Sequence, residues 1–283
     1  MIRLAVRCRP QLAERVLAEL VVLAPGGVEE ESGEGWVEFA IYGAAGEVPD
    51  LGAVEAAAGD GLVEVTTEEI PDDWADRWRD YHEPVLVADR VLIRPSWHEP
   101  EATWNRAAPG REAEEAARID VVLDPGNAFG TGAHPTTRMC VELLVGLAEE
   151  APPGALADLG TGSGVLAIAA AKLGFGPLIG LDTEQAALEA AAANAAANGV
   201  ELELRRANLR AEPAPVAPAI VANLTAPILV EVAARFEQPP RALICSGLLA
   251  REEEMVVSAF EGAGMRAHDR LREGDWAAVG LRA

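Results

Sequence analysis

Asp158-Leu159-Gly160-Thr161-Gly162-Ser163-Gly164 follows a short apolar run, Leu156 to Leu159, and precedes the helical pattern Val165 to Leu173. A glycine-rich turn between a strand and a helix is where open α/β sheets bind ligands, because glycine lets the backbone come close to them. The spacing discriminates among ligands. A dinucleotide fingerprint needs glycine where Val165 stands, and a phosphate loop needs Gly-Lys-Ser/Thr, which is absent. A Gly-x-Gly-x-Gly turn with an acid ahead of it suits adenosine carrying a methionine-like chain, with Asp158 available to an ammonium or to backbone amides. A glycine turn with no ligand at all is the competing reading.

Outward from that turn, strands and helices alternate. Strands are expected at Leu178 to Leu181, Leu202 to Leu204, Ile220 to Asn223 and Leu243 to Ser246, and helices at Glu184 to Asn198, Pro227 to Phe236 and Glu252 to Gly262. This pattern predicts a mostly parallel sheet with helices on both faces. Met265 to Leu271, the turn Glu273 to Asp275, and Trp276 to Leu281 form a closing hairpin, which gives the sheet an antiparallel edge strand. The fold class is α/β: a Rossmann-like, seven-stranded domain over residues 119–283.

The first seventy residues read differently. Ile2 to Cys8, Val28 to Glu31, Trp36 to Tyr42 and Leu62 to Ile70 suit strands, and Gln11 to Leu23 and Asp50 to Ala58 suit helices. The order β-α-β-β-α-β is that of a small ferredoxin-like α+β domain, residues 1–70. Residues 71–118 lie between the two. They hold a helix with Trp74, Trp78 and Tyr81 on one face, a strand Val85 to Ile93 that ends at Pro95 and Trp97, and a linker or insertion from Glu99 to Arg118.

Three residues at strand ends and loops carry the chemistry. Asp182 stands 22 residues after Gly160, where an acid is placed to accept hydrogen bonds from ribose hydroxyls; Asp182 or Thr183 as a helix cap is the alternative. Asn223 precedes a helix in Val-Ala-Asn-Leu-Thr-Ala-Pro, where a carboxamide could orient an amine nucleophile, or merely cap the helix. His134 lies in the glycine-rich segment Asp124 to Thr137, read as a loop over the ligand; with no partner at ligand spacing, a structural hydrogen-bonding role fits it better than a metal or a base.

Bulk properties narrow the partners. The formal net charge of −23 is unsuited to a phosphate backbone, so nucleic acid is not an expected partner, and a basic protein is. Lys172 is the only lysine among the 23 basic residues. The 3 cysteines and 4 histidines are scattered, which gives neither a disulfide framework nor a metal site. No apolar run approaches the ~20 residues of a membrane span, and a cytoplasmic monomer is expected.

These motifs together resemble the bacterial ribosomal protein L-eleven methyltransferase family over nearly the whole chain. The family signature D-P-G-x-A-F-G-T-G-x-H-P-T-T reads here as Asp124 to Thr137, the glycine loop as Asp158 to Gly164, the ribose acid as Asp182, and the A-N-[IL]-x-A-x-[IL] edge as Ala222 to Ile228. The resemblance implies an S-adenosyl-L-methionine-dependent protein methyltransferase acting on lysine and N-terminal amines of a large-subunit ribosomal protein. It further implies that Thr137, Gly160, Asp182 and Asn223 contact the cofactor, that Asn223 serves catalysis, and that the N-terminal unit recruits the ribosomal protein and swings relative to the catalytic domain. Leu224-Thr225 departs from the commoner Ile-Leu of the family, and Glu99 to Arg118 is longer than its counterpart. A glutamine methyltransferase would instead carry Asn-Pro-Pro-Tyr/Phe at the Asn223 edge. A nicotinamide-dependent oxidoreductase is disfavoured by Val165, and a non-catalytic cofactor-sensing module is the remaining rival.

Overall fold

A computed structural model describes residues 2–13, 16, 29–33, 35–43, 62–69, 83–100, 118–123, 132–150 and 152–283. The chain divides into two compact units, Met1–Tyr81 and His82–Ala283.

In the first unit, β1 (Ile2–Cys8), β2 (Glu29–Gly33), β3 (Trp36–Gly43) and β4 (Leu62–Glu69) form one antiparallel sheet in the order β2-β3-β1-β4. This is the strand order that a β-α-β-β-α-β chain produces. The period-two alternation of β1 explains its two faces: Leu4, Val6 and Cys8 pack with Val37, Phe39 and Ile41, while Arg3 and Arg7 point the other way and share the Glu38 carboxylate. Arg7 also lies over the Trp36 ring, 4.1 Å from its centroid. The edge strand starts and ends later than Val28 to Glu31. Most of the helix expected over Gln11 to Leu23, the helix at Asp50 to Ala58, and the helix of Trp74, Trp78 and Tyr81 lie outside the described residues.

The second unit opens with a correction. Val85 to Ile93 is not one strand: β5 (Val85–Val87) and β6 (Val91–Arg94) form a hairpin, and β6 pairs in parallel with β7 (Ile119–Val122). The three-residue connection 88–90 places Ala88 at φ 50° and Asp89 at φ 53°, left-handed values uncommon outside glycine. Ala-Asp is not the Asn-Gly or Asp-Gly pair that announces such a turn, so the alternation reads straight through it. Arg94 closes this small sheet, donating through Nε and Nη2 to Asp120 Oδ1 and Oδ2 at 2.8 and 2.7 Å, and through Nη1 to the His98 carbonyl at 2.6 Å.

The large sheet contains β8 (Leu156–Leu159), β9 (Leu178–Asp182), β10 (Glu203–Arg206), β11 (Ala219–Asn223), β12 (Ala242–Leu249), β13 (Arg266–Glu273) and β14 (Trp276–Arg282), in the order β10-β9-β8-β11-β12-β14-β13. The strands from β10 to β12 are parallel, and β14 runs antiparallel to both of its neighbours. The antiparallel strand therefore lies inside the sheet, and β13 forms the edge. Helices α1 (Pro135–Glu150), α2 (Val165–Lys172) and α3 (Gln185–Ala197) cover one face, and α4 (Ala226–Ala234) and α5 (Glu253–Gly262) cover the other. The helix α1 begins at Pro135, with proline supplying the helical φ of the first turn. Core residues fill both sides of the sheet: Leu144, Ile168 and Val221 on one, Leu229, Val257 and Phe260 on the other. Among the described residues no helix is long and apolar enough to cross a membrane.

The order of strands reverses at β8. The chain moves from β8 outward to β9 and β10, then returns to the other side of β8 as β11, which opens a crevice beyond the carboxyl ends of β8 and β11.

One ion-pair cluster fastens α5 to the edge of the sheet. The Glu253 side chain is 0% exposed and accepts from Arg270 Nη1 and Arg272 Nε, both at 2.7 Å. Glu253→Ala removes the acceptor of both arginines, which can reach solvent instead, so the expected loss of stability is about 2 kcal/mol. Urea unfolding of the purified variant measures it, and a loss below about 0.5 kcal/mol would show that the cluster is only a surface pair.

Candidate functional site

At the end of β8 the chain turns on glycines. The N–H groups of Gly160 and Thr161 both donate to the Leu181 carbonyl, each at 2.8 Å, which binds the turn to the next strand. Gly160 has φ 73° and Gly164 φ 82°, conformations that disfavour a side chain. At Gly164, a Cβ would also come within 3.2 Å of the Ala191 Cα on α3. Small residues on α3 therefore admit the turn, and Asn194 on the same helix, itself buried, donates from Nδ2 to the Ser163 carbonyl at 2.9 Å. The alanine content of α3 thus serves close approach as well as helix propensity.

Asp158 is fully buried beneath this turn. Its Oδ2 accepts from Thr161 Oγ1 at 2.8 Å and from the Ala167 N–H at 3.3 Å, so the carboxylate holds the turn and the start of α2 together. Among the described residues its Oδ1 has no hydrogen-bond partner. Burial pushes the Asp158 carboxyl up to about 7, against the opposing effect of its two donors. An orphaned, buried carboxylate oxygen at the floor of a ligand crevice fits a cationic donor, such as an ammonium group.

Asp182 ends β9 on the other side of the turn. Its Oδ2 accepts the Gly162 N–H at 3.0 Å and its Oδ1 accepts the Glu184 N–H at 3.1 Å. The carboxylate is thereby fixed in orientation, and each oxygen keeps a further lone pair for a hydroxyl donor. The capping alternative is partly realised, because the Glu184 bond closes a local turn at the entry to α3. Neither Asp182 nor Thr183 is the cap residue: that position is Glu184, which makes no side-chain capping bond.

Asn223 ends β11 and donates from Nδ2 to Thr137 Oγ1 at 3.4 Å. Thr137 is itself fully buried in the first turn of α1, with its N–H bonded to the His134 carbonyl at 3.1 Å. Two residues far apart in sequence are thus joined across the crevice mouth. The alternative that Asn223 caps α4 is set aside, since that position belongs to Thr225.

His134 makes local contacts. Its Nδ1 lies 2.8 Å from Thr136 Oγ1 and accepts, at 3.4 Å, from the Thr136 N–H. Its ring meets Trp276 edge-on, with 4.9 Å between centroids, and burial holds the imidazole below its ordinary range. Arg138 bonds both the Ala133 carbonyl and Glu273. These contacts tie the entry to α1 to the turn between β13 and β14. Asp124 to Thr131, the rest of the glycine-rich segment, lies outside the described residues.

Two features were missed by sequence reasoning. Gly247, at φ 80°, sits so close to Leu224 that a Cβ would come within 2.6 Å of the Leu224 carbonyl oxygen. The register of β12 against β14 shifts there, between Cys245 and Leu248. A glycine inside a strand pattern is the signal that marks such an approach. The second is the packing of Leu224 onto Gly160, where a Cβ would meet Leu224 Cδ2 at 2.4 Å; no local pattern announces it.

A family model described as Ribosomal protein L11 methyltransferase matches residues 43–283. The chain is 37% identical over 216 residues to the Ribosomal protein L11 methyltransferase of Pelotomaculum thermopropionicum, covering 75% of this chain and 66% of the relative. It is 37% identical over 226 residues to that of Bacillus cereus, covering 77% and 68%. The chain thus spans about two thirds of the length of the curated relatives it matches. Among solved structures, a ribosomal protein L11 methylase from Lactobacillus delbrueckii subsp. bulgaricus is similar with a TM-score of 0.58 and 27% identity, over 70% of this chain and 97% of that one. Family model, relatives and fold agree, and the chain belongs to the ribosomal protein L11 methyltransferase family.

Proposed function

We propose that the protein transfers methyl groups from S-adenosyl-L-methionine to lysine and N-terminal amines of ribosomal protein L11. The observation that carries this reading is the juxtaposition, at the strand-order reversal, of a glycine turn, a fixed carboxylate and a carboxamide, with an unpartnered buried oxygen beneath them. When bound, S-adenosyl-L-methionine supplies a methyl group on a sulfonium centre, an electrophile suited to an amine.

The chain's own residues bind and orient. Asp182 would accept hydrogen bonds from the ribose hydroxyls, the Gly160 turn would admit the cofactor close to the backbone, and Asp158, with an oxygen left unpartnered among the described residues, and Thr137 would complete its site. With its Nδ2 turned to Thr137, Asn223 would keep its Oδ1 free to accept an N–H of the incoming amine and so orient it; as the new N–C bond formed and the S–C bond broke, S-adenosylhomocysteine would leave. A lysine amine must first be neutral. At pH 7 this costs about 4.6 kcal/mol from a pKa of about 10.4, and loss of solvent beside a sulfonium charge lowers that cost. An N-terminal amine, with a pKa of about 8, needs less assistance. Positioning is therefore the enzyme's main contribution.

The net charge of −23 suits a basic ribosomal protein as partner. The N-terminal unit, residues 1–70, is assigned to recruiting it, residues 119–283 are assigned to catalysis, and the reaction is assigned to the cytoplasm, with the enzyme acting as a monomer. Mass spectrometry of L11 incubated with enzyme and cofactor tests the activity: mass gains of whole methyl groups on amines are expected.

Three substitutions test the site. Asp182→Ala lowers affinity for S-adenosyl-L-methionine about tenfold or more, read by titration calorimetry; unchanged affinity removes Asp182 from the ribose. Asn223→Ala depresses kcat more than cofactor affinity, by about a hundredfold against a few-fold; equal losses in both would reassign Asn223 to the cofactor alone. The third uses pH. The folded Asp158 carboxyl releases its proton at about 7, and the unfolded one at about 3.9. Between these values the folded state binds more protons, so the residue costs stability increasingly as pH rises through that window, and the cost is constant above it. Without cofactor, Asp158→Asn therefore gains stability relative to the native protein as pH rises from about 4 to about 7, by a few kcal/mol at most. Urea unfolding at a series of pH values measures the difference, and parallel curves would contradict the buried charge.

A further inference from the structure

Leu224 occupies the step between Asn223 and the helix α4, with only Thr225 between it and Ala226. Its side chain lies on the Gly160 turn, where Cδ2 fills the place that a Cβ on Gly160 would need, 2.4 Å away. Its backbone is held from the opposite side. The Leu224 N–H donates to the Ser246 carbonyl at 3.0 Å, and the Leu224 carbonyl oxygen, carbon and nitrogen lie within 2.6 to 2.8 Å of the position of a Cβ on Gly247. Both neighbours are therefore glycine where Leu224 meets them.

We propose that Leu224 is a positioning residue for methyl transfer, a wedge between the Gly160 turn and β12 that sets the height of the turn and the place of the Asn223 carboxamide together. It acts through those two groups and takes no part in the chemistry. The proposal rests on the reading of Gly160 and Asn223 given above. The geometric reason is that Leu224 follows Asn223 directly and its N–H is bound to the Ser246 carbonyl, so a shift of the Leu224 backbone is passed to Asn223 through a single planar peptide unit. A displacement of about an ångström at a reacting group can cost about a hundredfold in rate. Side-chain reach, not the branch at Cγ, is what supports the turn: alanine leaves it unsupported, whereas isoleucine keeps a Cδ1 methyl within reach of the same gap.

The test compares Leu224→Ala, Leu224→Ile, Gly247→Ala and Asn223→Ala in the full chain. Cofactor affinity is read by calorimetry, kcat at saturating S-adenosyl-L-methionine by transfer of tritiated methyl to L11, and thermal midpoint without cofactor. Leu224→Ala is expected to weaken cofactor binding about fivefold and to lower kcat about tenfold or more, with Leu224→Ile within about threefold of the native protein in both. Gly247→Ala pushes the same backbone from the other side and is expected to lower kcat in the same way. The proposal is overturned if Leu224→Ala leaves affinity and kcat within about twofold, if it lowers only the thermal midpoint, or if alanine and isoleucine are equally damaging. The isoleucine variant keeps the question open to measurement should alanine fail to fold. If Asn223→Ala leaves kcat unchanged, the assigned role of Asn223 fails instead, and cofactor affinity of the Leu224 variants still decides whether the wedge supports the turn.

Discussion

A single carbonyl oxygen organises the ligand edge of the large domain. The Leu181 carbonyl takes the N–H groups of both Gly160 and Thr161, and because Asp182 is the next residue, the same bonds fix the distance between the glycine turn and the carboxylate. Gly162 then donates to Asp182 and closes the circuit. Neither strand end could be moved alone. The turn in its left-handed conformation, the small face of α3 that admits it and the buried Asp158 that braces it are all consequences of that junction.

The sheet and the order of its elements were legible because their signals are local. Alternating apolar runs, alanine-rich helical segments and glycine turns each constrain a few neighbouring residues, and the strict alternation implied a parallel sheet before any contact was known. Strand limits at β10 and β12 moved by a few residues, since exposure at an edge and a glycine bulge both weaken periodicity. The β5–β6 hairpin was not legible: its turn takes positive φ at Ala88 and Asp89 without a glycine or asparagine to announce it.

The site divides in the same manner. Asp158, Gly160, Asp182 and Asn223 lie at strand ends whose positions follow from the alternation, so spacing alone placed them near one another. The bond from Asn223 to Thr137 joins residues 86 apart and follows from the docking of α1 on the sheet, which no local pattern encodes. The same holds for the Leu224 contacts with Gly160 and Gly247, which depend on three strands being adjacent. What a sequence leaves out here is the third dimension of a crevice whose rim is otherwise readable.

The placement of β14 has a consequence for how the chain is made. This strand follows the other six of its sheet in sequence and yet occupies an interior position, paired on one side with β12 and on the other with β13. Among the described residues the N-terminal sheet ends its last strand at Glu69, but the large sheet lacks an inner member until Arg282 has been synthesised. At about 5 to 20 residues per second, β8 waits on the order of ten seconds for the sheet it starts to be completed. From the completion of β12 at Leu249 until β14 is made, the flank of β12 is an unpaired edge, the kind of surface that recruits strands from other chains. A newly made molecule thus passes through a stage in which the large sheet still offers an adhesive edge.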